Sequence, residues 1–537
     1  MDKVEVKEDQ VIPTGSIKSR YNLCYAERNP FLERAREAAE ITIPSLLPRE
    51  GHSSANFFKQ PFQSVGARGV NNLASKLLLA LLPPNSPFFR LTIDDFDLEN
   101  LVGPNQRGAV EEGLARIERS AMQEIEAKAI RVPVFEALKH LIVTGNALVY
   151  MPKEGGMRVF RLDRYVVKRD AMGNVLEIIT VESLSPLMLP EEVRSKVTTP
   201  NADYGQKNYD LYTCVKKTES GWEVRQEVEG QEIESSYGTY EEDKNPFIPL
   251  RFTRIDSEDY GRGFVEEYIG DLKSLEALTR SIVEGSASAA KVLFMVRPNG
   301  TTKLRSLAES PNGAIVQGAA EDVSVLQVNK FNDFRVAQEV ARQIQERISY
   351  AFLLNSAVQR QAERVTAEEI RFAAQELEMA LGGVYSVLSQ EFQVPLVNLL
   401  LNRLEQQKKM PKFPKDSLKP QIVTGIEALG RGQDLNKLAT FLQYLQPLGP
   451  QVLGQELNVT DYLDRLGASL GIDTNGLIKS QEQKQQEMMQ AQQQQQQQAQ
   501  AQSQMMGKMA ERAVSNPEIV KQVSESLKQN QQQQQGQ

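Results

Sequence analysis

Histidine is almost missing from this chain: His52 and His140 are the two present among 537 residues. Neither has cysteine or carboxylate at ligand spacing, so a histidine-rich metal site is excluded and general-base catalysis lacks its usual residue. Cysteine is as scarce. Cys24 and Cys214 are too few and too far apart for a disulfide framework or a metal cluster, and they read as small buried hydrophobes in a reducing compartment. Long apolar runs are lacking as well. The stretch from Leu73 to Leu82 is interrupted by Ser75 and Lys76 and is too short to cross a bilayer, and no cationic leader with an apolar core opens the sequence. The expectation is a protein neither secreted nor embedded. Nor is positive charge in excess: 62 basic residues face 70 acidic ones, a net charge of −8. A tight nucleic-acid binder normally carries a basic domain or stripe, so that class is disfavoured. A conduit for DNA fits better, because each simultaneous phosphate contact adds to a counterion-release term that would trap a sliding duplex.

Catalytic and phosphate-binding motifs are equally sparse. Gly66-Ala-Arg-Gly69, Gly261-Arg-Gly263 and Gly430-Arg-Gly432 lack both the P-loop and the dinucleotide pattern; they read as turns whose arginine is solvated or paired across subunits. Ser53-Ser54 and Ser286 have no base in view, and the acidic pair Glu368-Glu369 is explained as a helix start. No catalytic residue, cofactor or metal is expected.

What the chain does have is 40% apolar content and enough length for roughly three or four domain-sized units. Helices are expected over Ser16–Leu47, Phe62–Leu82, Glu111–Ala129 and Val134–Gly145, with Pro44, Pro48 and Pro83-Pro84 as breakers. From Arg158 to Ile255 the period turns to two. One hairpin is expected at Tyr165–Arg169 and Val175–Val181, and another at Tyr209–Lys216 and Trp222–Val228. After Gly263 a helix places Phe264, Tyr268, Leu272, Leu275, Leu278 and Ile282 on one face and runs into Gly285-Ser-Ala-Ser-Ala-Ala290. Small side chains there suit a close neighbouring helix or an ordinary tight bundle. Short strands at Val292–Val296, Ala314–Val316 and Val323–Val328 lead to a helix over Asn332–Leu353. In it Val336, Val340, Ile344, Ile348 and Phe352 recur every fourth residue. A polar loop from Leu354 to Val365 follows, then a helix opened by Thr366 and Glu369 with Ile370, Ala373, Leu377, Leu381, Val384, Leu388 and Phe392 as its stripe. By pattern alone that loop is an ordinary surface connection. Beyond Gln481 the composition collapses into Gln, Met and Ala, including the run Gln492–Gln498. Such a tract cannot bury a core, and it reads as flexible or as a marginal helix, with a tubular bundle as the alternative.

The stretch LNSAVQRQAERVTAEEIRFAAQELE, followed by LGGVYSVLSQEFQVPLV, resembles the tunnel-loop and long-helix region of phage portal proteins, the head-to-tail connectors of short-tailed, autographivirus-type podoviruses. Further blocks agree in order: FLERAREAAEITIPSLLP from Phe31, QSVGARGVNNLASKLLLALLP from Gln63, FEALKHLIVTGNALVYMP from Phe135, FRLDRYVVKRDAMGNVL from Phe160, YGRGFVEEYIGDLKSLEAL from Tyr260 and GIEALGRGQDLNKL from Gly425. The resemblance covers residues 31 to about 440.

It implies a mixed α+β, predominantly helical subunit. Its parts would be a wing over 1–260 (helical to about 157, β-rich insert 158–256), stem helices at 261–291 and 332–353, and a β clip at 292–331. A tunnel loop at 354–365, a long kinked helix at 366–410, a crown at 411–480 and a Gln/Met-rich tail at 481–537 would follow. It further implies a ring of twelve at one capsid vertex of the virion, assembled in the host cytoplasm, through which double-stranded DNA is packaged and ejected. Partners would be terminase, tail adaptor and nozzle proteins, and scaffolding, major capsid and internal core proteins, with no membrane. Candidate residues are Gln359, Arg360 and Arg364 for the DNA channel, Gly285, Ser286, Ala289 and Ala290 for the subunit contact in the stem, and Lys303 and Arg305 for docking at the clip. The rival expectation is a cytoplasmic helical scaffold or adaptor with no DNA channel.

Overall fold

The computed structural model describes residues 15–51, 57–84, 87–93, 107–191, 208–289, 293–311, 313–326, 331–354, 380–410, 418–422 and 430–448, with Arg194, Leu377 and scattered positions between 457 and 497. Two compact units divide the chain, 1–437 and 438–537. In the second, the Tyr462 hydroxyl donates to the Leu438 carbonyl at 3.2 Å.

The first unit opens with helix α1 (Ile17–Glu40), capped by the Ser16 side chain, which accepts from the Ser19 amide. Helix α2 (Val65–Leu81) follows, then strand β1 (Phe89–Ile93) and helices α3 (Arg107–Ala127) and α4 (Arg131–Thr144). Gly145 ends α4 in the left-handed region at φ 77°. A side chain there would run into the backbone of Arg262 and Gly263, so glycine serves both the turn and the close approach. Asn146 ties the same crossing together: its amide donates to the Gly261 carbonyl at 2.9 Å and its oxygen accepts from the Gly261 amide at 2.7 Å. The Gly261-Arg-Gly263 motif is thus a backbone crossing. Arg262 pairs within the chain, with Glu258 at 2.6 Å and Glu266 at 2.9 Å, which replaces the expected solvated or inter-subunit partner.

Strands β2 (Asn146–Tyr150), β3 (Arg158–Phe160) and β10 (Phe247–Arg251) form an antiparallel sheet in the order β10-β2-β3. Between β3 and β10 lies a six-stranded sheet built from β4 (Tyr165–Arg169), β5 (Val175–Leu184), β6 (Tyr209–Thr218), β7 (Gly221–Val228), β8 (Gln231–Glu232) and β9 (Gly238–Tyr240). Both expected hairpins are there, β4 paired with β5 and β6 with β7. Period-two patterning buries both faces. Val167, Ile178 and Val215 join the main helical core, while their neighbours Val166, Ile179 and Cys214 pack with Ile17 and Tyr21 of α1. Glu227 of β7 also accepts from the α1 amides of Ile17 at 2.6 Å and Lys18 at 3.3 Å, a carboxylate at the positive end of a helix.

A short helix α5 (Phe264–Glu267) then leads into α6 (Ile269–Ala289). Strands β11 (Leu293–Val296) and β12 (Val323–Leu326) pair antiparallel around the short helix α7 (Leu304–Ala308), an element absent from the expected run of short strands. Among the described residues, 314–316 pair with no strand; extended backbone without a ladder partner is not a strand, and that expectation is corrected. Helix α8 (Phe331–Ala351) packs back along α6. The downstream helix is continuous through α9 (Gly383–Leu388), a π-helical turn Ser389–Gln393 and α10 (Val394–Gln406). Strand β13 (Leu418–Ile422) returns to pair with β1, and α11 (Gly430–Leu445) follows.

Candidate functional site

The candidates that lie among the described residues fall on the α6–α8 pair and on the β module between its two helices. Gly285 lies against Phe334 of the same chain, where a Cβ would come within 2.5 Å of the ring. Its small size therefore has a reason inside one subunit. Ser286 is exposed and Ala289 half-buried, while Ala290 lies outside the described residues. Along α8 the four-residue spacing drifts, because four residues exceed a full turn by about 40°. Ile344, Ile348 and Phe352 are buried, whereas Val336 is 63% and Val340 41% exposed. With Val283 of α6, 50% exposed, they leave apolar surface on a pair otherwise studded with charge: Arg342 bridges Glu339 and Glu346, and Arg347 reaches Asp271 at 2.8 Å.

At the far end of the pair, Asp322 closes the small β module. Its carboxylate accepts from the Thr301 amide at 2.6 Å, the Thr301 hydroxyl at 3.0 Å and the Thr302 amide at 3.1 Å. The Thr301 hydroxyl above all, with these amides, holds the Asp322 carboxyl below its ordinary range. On this module Lys303 and Arg305 are exposed, and Arg305 pairs with Glu309 at 3.0 Å.

At the near end, α8 stops on α2. The buried Phe352 ring meets Phe264 edge-on at 5.1 Å and sits over Gly69, where a Cβ would lie 2.7 Å away. Leu353 is left-handed, φ 54°, and the Leu354 amide reaches back to the Ser349 carbonyl at 2.8 Å, a Schellman-type ending without glycine. Asn72 donates to the carbonyls of Phe352 at 3.0 Å and Leu353 at 2.9 Å, and the Lys76 ammonium donates to Leu353 at 3.1 Å. The next residues carry Gln359, Arg360 and Arg364, together with the Thr366–Glu369 capping box, and all of these lie outside the described residues. Beyond them the π turn is held from two sides: Gln393 donates to the Leu81 carbonyl at 2.7 Å, and Glu391 accepts from the Arg251 amide and guanidinium, both at 3.1 Å.

Among the described residues no group of three His, Cys, Asp or Glu is placed to hold a metal, and no helix is long and apolar enough to cross a membrane. His140 is 1% exposed, and burial, helped by Arg161 and Lys139, pushes its imidazole down to about 4. Burial chiefly, then Glu177, pushes the Cys214 thiol up. Sequence reasoning missed the buried cations Arg28, Arg251 and Arg403, the last paired with Glu124. A lone charged residue in a helix or strand carries no periodic signal of burial.

A sequence-family profile described as "Bacteriophage head to tail connecting protein" matches residues 14–478. The portal protein of Escherichia phage T7 is 44% identical over 519 residues, covering 95% of this chain and 96% of the relative. That of Enterobacteria phage T3 is 46% identical over 475 residues, covering 87% and 89%. The portal protein of Enterobacteria phage SP6 is 32% identical over 490 residues, covering 89% and 93%. With matches of this depth along nearly the whole length, the chain belongs to the bacteriophage head-to-tail connecting protein family, the portal proteins of autographivirus-type short-tailed phages.

Proposed function

We propose that this portal chain assembles as a ring of twelve at a single capsid vertex, that α6 and α8 form its stem, and that double-stranded DNA passes through the centre. The observation that carries the reading is the exposed apolar side chains of Val336 and Val340, one turn apart on α8, and of Val283 on the packed helix α6, which a neighbouring copy would bury. Gln359, Arg360 and Arg364 face the DNA in this reading. A ring repeats each arginine in every subunit, so one phosphate contact per chain gives a collar of positive charge inside an otherwise acidic protein. Lys303 and Arg305 on the β module dock terminase during packaging and the tail adaptor afterwards, and ATP hydrolysis belongs to the terminase. The finished ring resides in the virion after assembly in the host cytoplasm.

Negative-stain microscopy of the purified protein should show rings whose hole admits a duplex about 20 Å wide, the docking scale of B-form DNA; isolated monomers at micromolar concentration would defeat the proposal. Replacing Arg360 and Arg364 together with Ala should keep the rings and lower the amount of packaged or retained DNA in an assembly assay. Full-length genomes packaged and retained normally would remove the DNA role from these arginines and leave the ring.

A further inference from the structure

We infer that Asn72 and Lys76 of α2 are positioning residues that fix where the chain leaves the stem and enters the DNA-facing segment. The inference rests on the reading of residues 354–365 as that segment, and it adds what holds its root.

The end of α8 presents carbonyls that have no partner within the helix. Helices commonly solve this with a glycine in the left-handed position and with water. Here the left-handed residue is Leu353, an unfavourable choice for a branched side chain that persists only where the surroundings over-determine it. The surroundings do so through α2. Gly69, Asn72 and Lys76 recur at the spacing of one helix face. The first leaves room for Phe352, the second donates to two successive carbonyls, and the third brings an ammonium to the negative end of α8. The other end of α2 faces the helix on the far side of the same segment. The Ala80 carbonyl accepts from the Tyr385 hydroxyl at 3.1 Å and the Leu81 carbonyl accepts from Gln393. One helix therefore holds both shoulders of residues 355–380. A segment tied at both ends to a single rigid bar has its reach set by that bar. Plain end-capping accounts for a stabilised helix terminus; it gives no reason for tying both ends to one element.

The test uses the full chain as assembled rings. Asn72→Ala with Lys76→Met removes three donors while keeping the aliphatic stem of Lys76, and Lys76→Arg retains a cation that can still reach the carbonyl. Brief trypsin treatment, with cleavage mapped by mass spectrometry, should show nicking at Arg360 or Arg364 about tenfold faster in the double variant than in the parent. Other sites should be unaffected, ring yield should match the parent, and Lys76→Arg should restore most of the protection. Unchanged nicking at Arg360 and Arg364 in intact rings would overturn the inference. If the double variant does not fold, Lys76→Met alone carries the same test; loss of rings in both also overturns it, since the two residues would then support general stability. DNA retention separates this result from the reading beneath it. Faster nicking together with normal retention in the Arg360→Ala, Arg364→Ala rings keeps the positioning role and discards the channel assignment.

Discussion

His140 shows what burial does to one side chain. Its Nδ1 has no hydrogen-bond partner in the described structure, and the neutral ring is the form the core tolerates. The unfolded chain takes up this proton near pH 6.5 and the folded one only near 4, so between those values the unfolded state binds more protons. Stability from this group is complete above pH 6.5 and drains away as pH falls toward 4. Changing His140 to Leu should flatten the melting temperature over that window; an unchanged slope would assign acid sensitivity elsewhere. Arg403 offers a contrasting case, a cation buried beside Glu124 at 3.4 Å and donating also to the Gly155 carbonyl at 3.3 Å. Arg403→Met should cost about 3–5 kcal/mol in denaturant unfolding, because it removes the buried partner of the Glu124 carboxylate and leaves it the longer, more exposed pair with Lys409 at 4.0 Å. A loss below about 1 kcal/mol would mean that Lys409 or water takes over from Arg403. The sequence placed His140 on its helix. The depth of Arg28, Arg251 and Arg403 was not, since burial of a charge is decided by partners far away in the chain.

At the scale of elements, local pattern was read well where the period was short and the turn residues explicit. The β4–β5 turn over Ala171–Asn174 and the β6–β7 turn before Gly221 follow from composition. Pairings between distant strands, β1 with β13 and β2 with β10, carried no local mark and were missed. The stripe on α8 was read too straight: its burial holds from Ile344 to Phe352 and turns to solvent by Val336. Two substitutions separate contacts within the α6–α8 pair from the proposed contacts between copies. Gly285→Val should overpack Phe334 and cost the isolated subunit roughly 1–3 kcal/mol. Ala289→Leu, by contrast, should leave subunit melting close to the parent and reduce ring yield in size-exclusion with light scattering. Normal ring yield for Ala289→Leu would take Ala289 out of the subunit contact.

For the molecule as a whole, the main core runs from the helices into the three-stranded and six-stranded sheets and β1, and the loss of apolar periodicity after Gln481 implies that little of it depends on the tail. Deleting residues 481–537 should leave folding and ring formation intact. A drop in melting temperature above about 4 °C, the size of roughly 1 kcal/mol in a large domain, would show that the tail is packed. The β1–β13 pairing has a consequence in time. Phe89 finds Ile422 as its partner, so a ribosome that has made β1 must keep elongating until the other strand emerges, on the order of half a minute at bacterial synthesis rates. During that interval the first strand has an open edge and the nascent subunit cannot close. A truncated translation product that lacks β13 would therefore carry β1 with an unpaired edge, a surface that invites aggregation, so a chain must be nearly complete before it can offer a closed subunit.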